Sequence, residues 1–413
     1  MLLFEEKKVS MAAISNKKRV VVTGLGALSV AGQTVFELER TLYQPQFLFT
    51  TPSRFTLDFD IIAGEIQESW ISDPILSDLE TVGGRMSLRA ATESIEDALQ
   101  SGGSPPQALI LGTSAGGQVH NEQFVFAHHA QQELPLFNFH KQGVVAAPAR
   151  YVAEGLNIEG SVMTISTACT SSANAIALGA MWIEQGRYER VLVGGCDDLC
   201  ATTLAGFHSL LLTGGQPCRP FGQNRPGMTI GEGAAFLCLE CLEKVRSSDR
   251  PYYGELLGYG LSADAYHITA PSEGGAGAIL AMQKALHKAD LEPQDINWVN
   301  AHGTGTTLND QVESHAITTT FEFDVPVSSN KALFGHTLGA AGALEAIVSL
   351  IAIRQKRAPE NYLVSEPGDD CQVNLVPPGG IDLPAHPVIM SNSFGFGGSN
   401  CTLIFGLPKG ENI

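Results

Sequence analysis

Cysteine and histidine are the residues whose placement in this 413-residue chain points to chemistry. Their side chains supply a nucleophile and a proton-handling group near neutral pH. Cys169 stands in TISTACTSSANAIA, between the apolar run Val162 to Ile165 and a helix expected from about Ser171. A thiol at a helix N-terminus meets the positive end of the helix dipole, which favours thiolate, the nucleophilic form. The small neighbours Ala168, Ser171, Ser172 and Ala173 leave room for a sharp turn and an incoming acyl group. Alone, such a thiol is more often an inert core residue.

His302 follows the strand-like run INWVN, in a loop holding Gly303, Thr304, Gly305 and Thr306. His336 opens another small-residue helix, behind Lys331 in NKALFGH. One histidine after a strand is more often structural than catalytic. Three strand-to-loop sites, each with Cys or His in Gly-rich company, describe one pocket at the carboxyl edge of a sheet. His267, in DAYHITAP, reads as structural.

The eight cysteines, at 169, 196, 200, 218, 238, 241, 371 and 401, lack the regular framework of a small secreted domain, so reduced thiols are expected. Cys238 and Cys241 form a CxxC inside AAFLCLECLE, whose alternation reads as a strand. That places them on opposite faces, and no metal site is expected. Cys196 and Cys200 read as ordinary core residues.

The elements that position these residues alternate along the chain. RVVVTGLGA, ALILGTSAGG, SVMTIST, RVLVGGC, AAFLCLE, ELLGYGLSA, INWVNAHG and CTLIFG read as strands, with Ala-, Leu- and Glu-rich helical segments between several of them. This is the α/β pattern. No Pro- or Ser-rich linker separates two halves, so one compact unit is expected. Laying Cys169 on His336 reveals an internal echo, because CTSSANAIALGAMWI and HTLGAAGALEAIVSL both continue as small-residue helices. Likewise ILGTSAGG resembles VNAHGTG, an apolar strand followed by a Gly- and Thr-rich loop. The chain reads as a duplicated unit whose copies present different residues at equivalent places.

Composition agrees with a large globular core, at 44% hydrophobic and 16% charged residues. The 44 glycines and 7% aromatics suit tight turns and close helix packing. A net charge of -18 argues against nucleic acid or an anionic membrane as the main partner. No apolar run is expected to reach the roughly 18 residues of a membrane span. The start, MLLFEEKKVSMAAISNKK, has acidic residues where a signal peptide needs an apolar core. A cytoplasmic protein with a flexible lead over residues 1–18 is expected.

Four strings in order, TACTSSANA, VNAHGTGT, NKALFGHTLGAAGALE and SNSFGFGGSN, resemble the signature blocks of β-ketoacyl-[acyl carrier protein] synthases of the synthase I and II type. PFGQNRPGMTIGEGAAFLCLE lies between the first two, and the match runs from about residue 19 to 406. The resemblance implies a thiolase-like α/β fold of two pseudo-duplicated βαβαβ halves, residues 19–255 with Cys169 and 256–413 with His302 and His336, in an α-β-α-β-α core. It implies a decarboxylative Claisen condensation, with the acyl chain held as a thioester on Cys169. His302 and His336 would hold the malonyl carbonyl oxygen as enolate charge develops. Neutral imidazole can donate that hydrogen bond without placing a cation beside the acyl-enzyme.

By the same resemblance, the backbone N–H groups of Cys169 and Phe396 form an oxyanion hole, and Phe396 swings as a gate beside Gly395, Gly397 and Gly398. Lys331 is a buried cation paired with Glu345. Thr304 and Thr306 bind the phosphopantetheine arm, and Thr269, Phe394 and Ala115 line the substrate path. Ala115 replaces a bulky aliphatic residue, which suggests a longer or stiffer acyl chain. Arg219 and Arg225 would dock an acidic acyl carrier protein. No cofactor is expected beyond the carrier's phosphopantetheine. Pro226 and Gly222 depart from the family's usual Asp, and the segment between Cys200 and Cys218 is short. Those departures are similar to ketosynthases of aryl polyene and related secondary polyketide pathways, in which the partner can be a second, ketosynthase-like chain-length subunit. A homodimer is the alternative assembly. Two rivals remain: a non-catalytic chain-length subunit, and a thiolase or coenzyme A-dependent starter enzyme. The Cys, His, His set with Lys331 argues against both.

Overall fold

The computed structural model describes residues 18–70, 81–100, 102–133 and 141–407; of the lead expected over 1–18, residues 1–17 lie outside them. Ten strands carry the architecture. The first five are β1 (Val20–Ser29), β2 (Leu109–Gly112), β3 (Val162–Ile165), β4 (Arg190–Asp197) and β5 (Gly233–Cys241). The second five are β6 (Gly254–Ala263), β7 (Trp298–Asn300), β8 (Pro326–Ser328), β9 (Val388–Gly395) and β10 (Ser399–Gly406).

Their spatial order is β3-β2-β4-β5-β1, then β6-β10-β9-β7-β8. In the first block β5 runs antiparallel to β1 and β4, while β2 runs parallel to β4 and β3. The second block repeats this, with β10 antiparallel to β6 and β9, and β7 parallel to β9 and β8. The duplication heard in the sequence is therefore present in the topology. The blocks join through the pairs Val21 with Glu255 and Val22 with Gly254, and Asn374–Leu375 adds an edge to β8, so the hydrogen bonding is continuous over eleven strands.

All eight expected strands form. Two more, β8 and β9, were not expected as strands: the first is three residues long, and the second, VIMSNSFG, is rich in Ser, Asn and Gly, which are weak strand formers. SNSFGFGGSN forms the closed end of a hairpin, β9 to β10, with Phe396 at its turn. Placement between β7 and β10 pairs all of β9 with β10 and Ile389–Ser391 with β7, which outweighs local propensity.

Helices α1 (Val82–Gln100) and α2 (Ala147–Gly155) cover one face of the first block, and α3 (Ser171–Glu184) covers the other. A short helix, α4 (Ala201–Ser209), follows β4. On the second block α5 (Ala276–Ala289) and α6 (Thr307–Thr320) lie outside and α7 (Ala341–Gln355) inside. Because α3 and α7 pack together between the sheets, the layers read α-β-α-β-α, a thiolase-like fold.

The same packing device appears in both blocks. A Cβ on Gly24 or Gly26 of β1 would lie 2.0 or 1.9 Å from the carbonyl oxygens of Ser94 and Ala90 in α1. A Cβ on Gly258 or Gly260 of β6 would lie 2.4 or 2.0 Å from those of Ala285 and Ala281 in α5. Only glycine permits that approach.

The segment Leu338–Gln355 corrects one expectation, because its 18 residues have a mean hydropathy of 1.4, enough by length and composition to span a membrane. Of its residues 89% are buried, packed between the two blocks, the usual setting of a predominantly apolar core helix. At its N-terminal end a Cβ on Gly342 would come within 2.7 Å of the Ala173 Cβ, and the Ala343 N–H donates to Ser172 Oγ at 2.9 Å. This contact sets the starts of α3 and α7 side by side, and with them Cys169 and His336.

Candidate active site

Cys169 sits in a turn between β3 and α3 that is tied by side chains. Ser171 Oγ donates to the Ala168 carbonyl at 2.6 Å and accepts from the Thr167 N–H at 2.9 Å. Ala168 holds a left-handed φ of 53°, the sharp turn expected there, which for a residue with a Cβ costs on the order of 1 kcal/mol. Burial pushes the Cys169 thiol up to about 12, while Lys331 and the Phe396 N–H, which hydrogen-bonds the sulfur, pull it down. The helix start alone does not make it a thiolate, as the sequence suggested; desolvation is the larger effect.

His336 follows Lys331–Phe334, one short helical turn. Its N–H donates to the Thr229 carbonyl at 2.7 Å and its carbonyl accepts from the Gly231 N–H at 3.1 Å. PFGQNRPGMTIGEGAAF therefore supplies the strand that clamps His336. His302 follows β7, and its N–H and that of Gly303 donate to the two carboxylate oxygens of Glu313 at 2.8 and 2.7 Å. Asp310, one turn earlier on α6, accepts from Gly305 and Phe221 N–H groups. Glu313 and Asp310 escaped the sequence reading, although two carboxylates three apart on the helix behind the histidine loop were a visible signal. Burial raises Asp310 to about 6 and Glu313 to about 7.

The rings converge on the sulfur. His336 Nε2 lies 3.0 Å from Cys169 Sγ, and the two imidazole centroids are 5.3 Å apart, edge to face. The hydrogen on each ring can be assigned from its other nitrogen. The Leu338 N–H donates to His336 Nδ1 at 3.2 Å, so that nitrogen is an acceptor and the ring hydrogen is on Nε2. Lys331 Nζ lies 3.3 Å from His302 Nδ1 and, as a donor-only group, fixes His302 in the same tautomer. Burial and the Lys331 charge hold both imidazoles well below the usual histidine range, with His336 adding to the effect on His302. Two neutral N–H donors thus point at one place.

Lys331 is fully buried, pairs with Glu345 Oε1 and donates to the His302 carbonyl. Burial raises Glu345 to about 7 against the pull of Lys331. The Cys169, His302 and His336 donor atoms lie within 4.8 Å of one another, a spacing that could suit a metal ion. Ligation by either Nε2 would displace the hydrogen that the donors at Nδ1 place there, so the tautomers oppose it.

With both rings neutral, their C2–H NMR resonances are expected to stay at neutral-imidazole positions through the pH range in which an ordinary histidine titrates. A titration of either ring at the ordinary 6.5 would contradict this assignment.

A cavity of 390 Å³ ends on Cys169, His302 and His336. Thr304, Thr306, Thr269, Phe394 and Phe396 line it, so the structure brings these expected residues together. Thr304 Oγ1 and Thr306 Oγ1 lie 2.9 Å apart, and Phe396 packs on Phe207 of α4 with ring centroids at 5.8 Å. His267 is exposed, and its Nδ1 accepts from the Thr269 and Ala270 N–H groups, a loop-ordering role. Ala115 is not in this lining; its N–H donates to Asp197. Arg219 is exposed. Arg225 departs from the expected free docking charge: its side chain is 3% exposed and pairs with Asp370 at 2.5 Å. All eight cysteines are free and buried, and Cys238 and Cys241 lie in β5.

Comparison with known proteins agrees with this geometry. Residues 17–245 match the family model of the β-ketoacyl synthase N-terminal domain, and residues 253–364 that of its C-terminal domain. The 3-oxoacyl-[acyl-carrier-protein] synthase 2 of Coxiella burnetii is 31% identical over 94% of this chain and 98% of its own length. That of Staphylococcus aureus is 32% identical over 95% and 99%. Among solved structures, the ishigamide ketosynthase/chain length factor superposes with a TM-score of 0.88 at 29% identity, over 95% of this chain and 100% of the other. A ketosynthase in complex with its chain length factor from Xenorhabdus doucetiae gives 0.84 at 32%, over 95% and 98%. The signature blocks, the duplicated fold and the Cys-His-His pocket lead to one conclusion: this chain belongs to the β-ketoacyl synthase family.

Proposed function

We propose that this acyltransferase of the ketosynthase class uses Cys169 to take an acyl group from an acyl carrier protein, passing the thiol proton to the departing pantetheine thiol. Malonyl-carrier then loses carbon dioxide while the Nε2 hydrogens of His302 and His336 hold the enolate oxygen. The enolate carbon attacks the Cys169 thioester, the cysteine leaves as thiolate and takes up a proton, and the 3-oxoacyl chain remains on the carrier. The observation that carries this reading is the pair of Nδ1 contacts that leaves both histidines as neutral Nε2–H donors beside the sulfur. The Phe396 N–H at the sulfur supports its place in the oxyanion hole. A non-catalytic chain-length subunit is not favoured, because nucleophile and both donors are present.

Thr304 and Thr306 in the cavity wall support contact with the phosphopantetheine arm, and exposed Arg219 supports carrier docking. Strand β3 is the sheet's outer edge, with Val162 39% and Met163 40% exposed, which supports pairing with a second ketosynthase-fold chain, a copy or a chain-length subunit. The chain divides near residue 255 into its two halves, and free cysteines agree with a cytoplasmic setting. The short segment between Cys200 and Cys218 supports a long or stiff acyl substrate of the polyene kind, whereas Ala115, outside the cavity lining, does not bear on it. Offering saturated, aryl and polyenyl carriers, with and without candidate partner chains, and weighing the intact acyl-enzyme tests this. Polyenyl loading above saturated is the expected result; loading of saturated chains alone overturns the pathway assignment.

A further inference from the structure

A carboxylate outside the cavity ties the nucleophile's half of the molecule to the turn that sets His336. Asp197 ends β4, is 1% exposed, and accepts only from donors. Thr113 Oγ1 donates to its Oδ1 at 2.6 Å and the Ala115 N–H at 2.8 Å. The Ser114 N–H reaches Oδ2 at 2.8 Å, and the Gly339 N–H donates to Oδ2 at 2.6 Å. The first three come from the loop after β2, and the last from the turn after His336.

That turn is strained where it does its work. Leu338, whose N–H fixes the His336 tautomer, holds a left-handed φ of 51°. The next residue, Gly339, is the one Asp197 holds, and a Cβ there would lie 2.7 Å from Asp197 Oδ2. Releasing Gly339 lets Leu338 relax, which removes the N–H from His336 Nδ1 and frees the ring to place its hydrogen on either nitrogen. We propose that Asp197 is a positioning residue for decarboxylation, holding the Leu338–Gly339 turn so that His336 presents Nε2–H. This rests on the enolate role given to His336 above.

Asp197→Asn preserves shape but turns an amide NH2 toward N–H donors, so the cradle loses an acceptor. The expected result is a fall of about tenfold or more in kcat for malonyl-carrier decarboxylation, with KM within about twofold. In a His336→Ala background the same change is expected to cost nothing further, because the ring it positions is gone. Gly339→Ala is expected to behave the same way and carries the test if Asp197→Asn does not fold. An unchanged kcat, or an equal further loss in the His336→Ala background, overturns the proposal in favour of a general structural role. Absence of decarboxylation in the unmodified protein would overturn the enolate role itself, and so is told apart from failure at Asp197.

Discussion

Replacing Cys169 with Ala is expected to lower condensation by more than about 10³-fold, as loss of a covalent nucleophile does. Incubation with acyl-carrier should leave no acyl mass on the 169-bearing peptide. Malonyl-carrier decarboxylation should nevertheless persist, because the two N–H donors that hold the enolate oxygen come from the other half of the chain. The sulfur touches His336 Nε2 but supplies none of the contacts that fix either imidazole; those come from Leu338 and Lys331. Intact-mass analysis and release of carbon dioxide measure the two steps separately. Acylation surviving in Cys169→Ala would remove the thiol from its role.

His302→Ala and His336→Ala are each expected to cut decarboxylation by about 10²–10³-fold, the usual effect of deleting one preorganised donor to a developing oxyanion. Acylation of Cys169 should suffer less, since the oxyanion donors proposed for it are the backbone N–H groups of Cys169 and Phe396. The two deletions should combine to less than the product of their separate effects, because both rings serve one oxygen and sit 5.3 Å apart. Full decarboxylation in both single variants would show that the histidines do something else. Lys331 should matter by a different route. Its contact with His302 Nδ1 selects the tautomer, so its loss should mimic part of the His302→Ala effect without any contact between Lys331 and substrate.

Much of this site is written in local sequence. A thiol before a small-residue helix, a histidine after INWVN and another before GAAGALE are local patterns, and their fold follows from strand and helix periodicity. The echo between CTSSANAIALGAMWI and HTLGAAGALEAIVSL placed Cys169 and His336 at equivalent helix starts, which the repeated strand order bears out. Strand β9 was hidden because SNSFG has little strand propensity, and only its central place in the sheet makes it one. Glu313 and Asp310 were hidden because their partners are backbone N–H groups, which sequence patterns do not display.

The sequence by itself determined the class of fold, its duplication, and which residue types could form and trap an acyl thioester. The tertiary structure decided the protonation state of each of those residues. Burial raised the Cys169 thiol against its helix dipole, and Lys331 with the Leu338 N–H chose the nitrogen that carries each histidine's hydrogen. Arg225 lost its expected role as a free charge to Asp370 for the same kind of reason. Charge state and tautomer depend on dielectric surroundings and on partners far away in the chain, so they exist only once the two halves have packed.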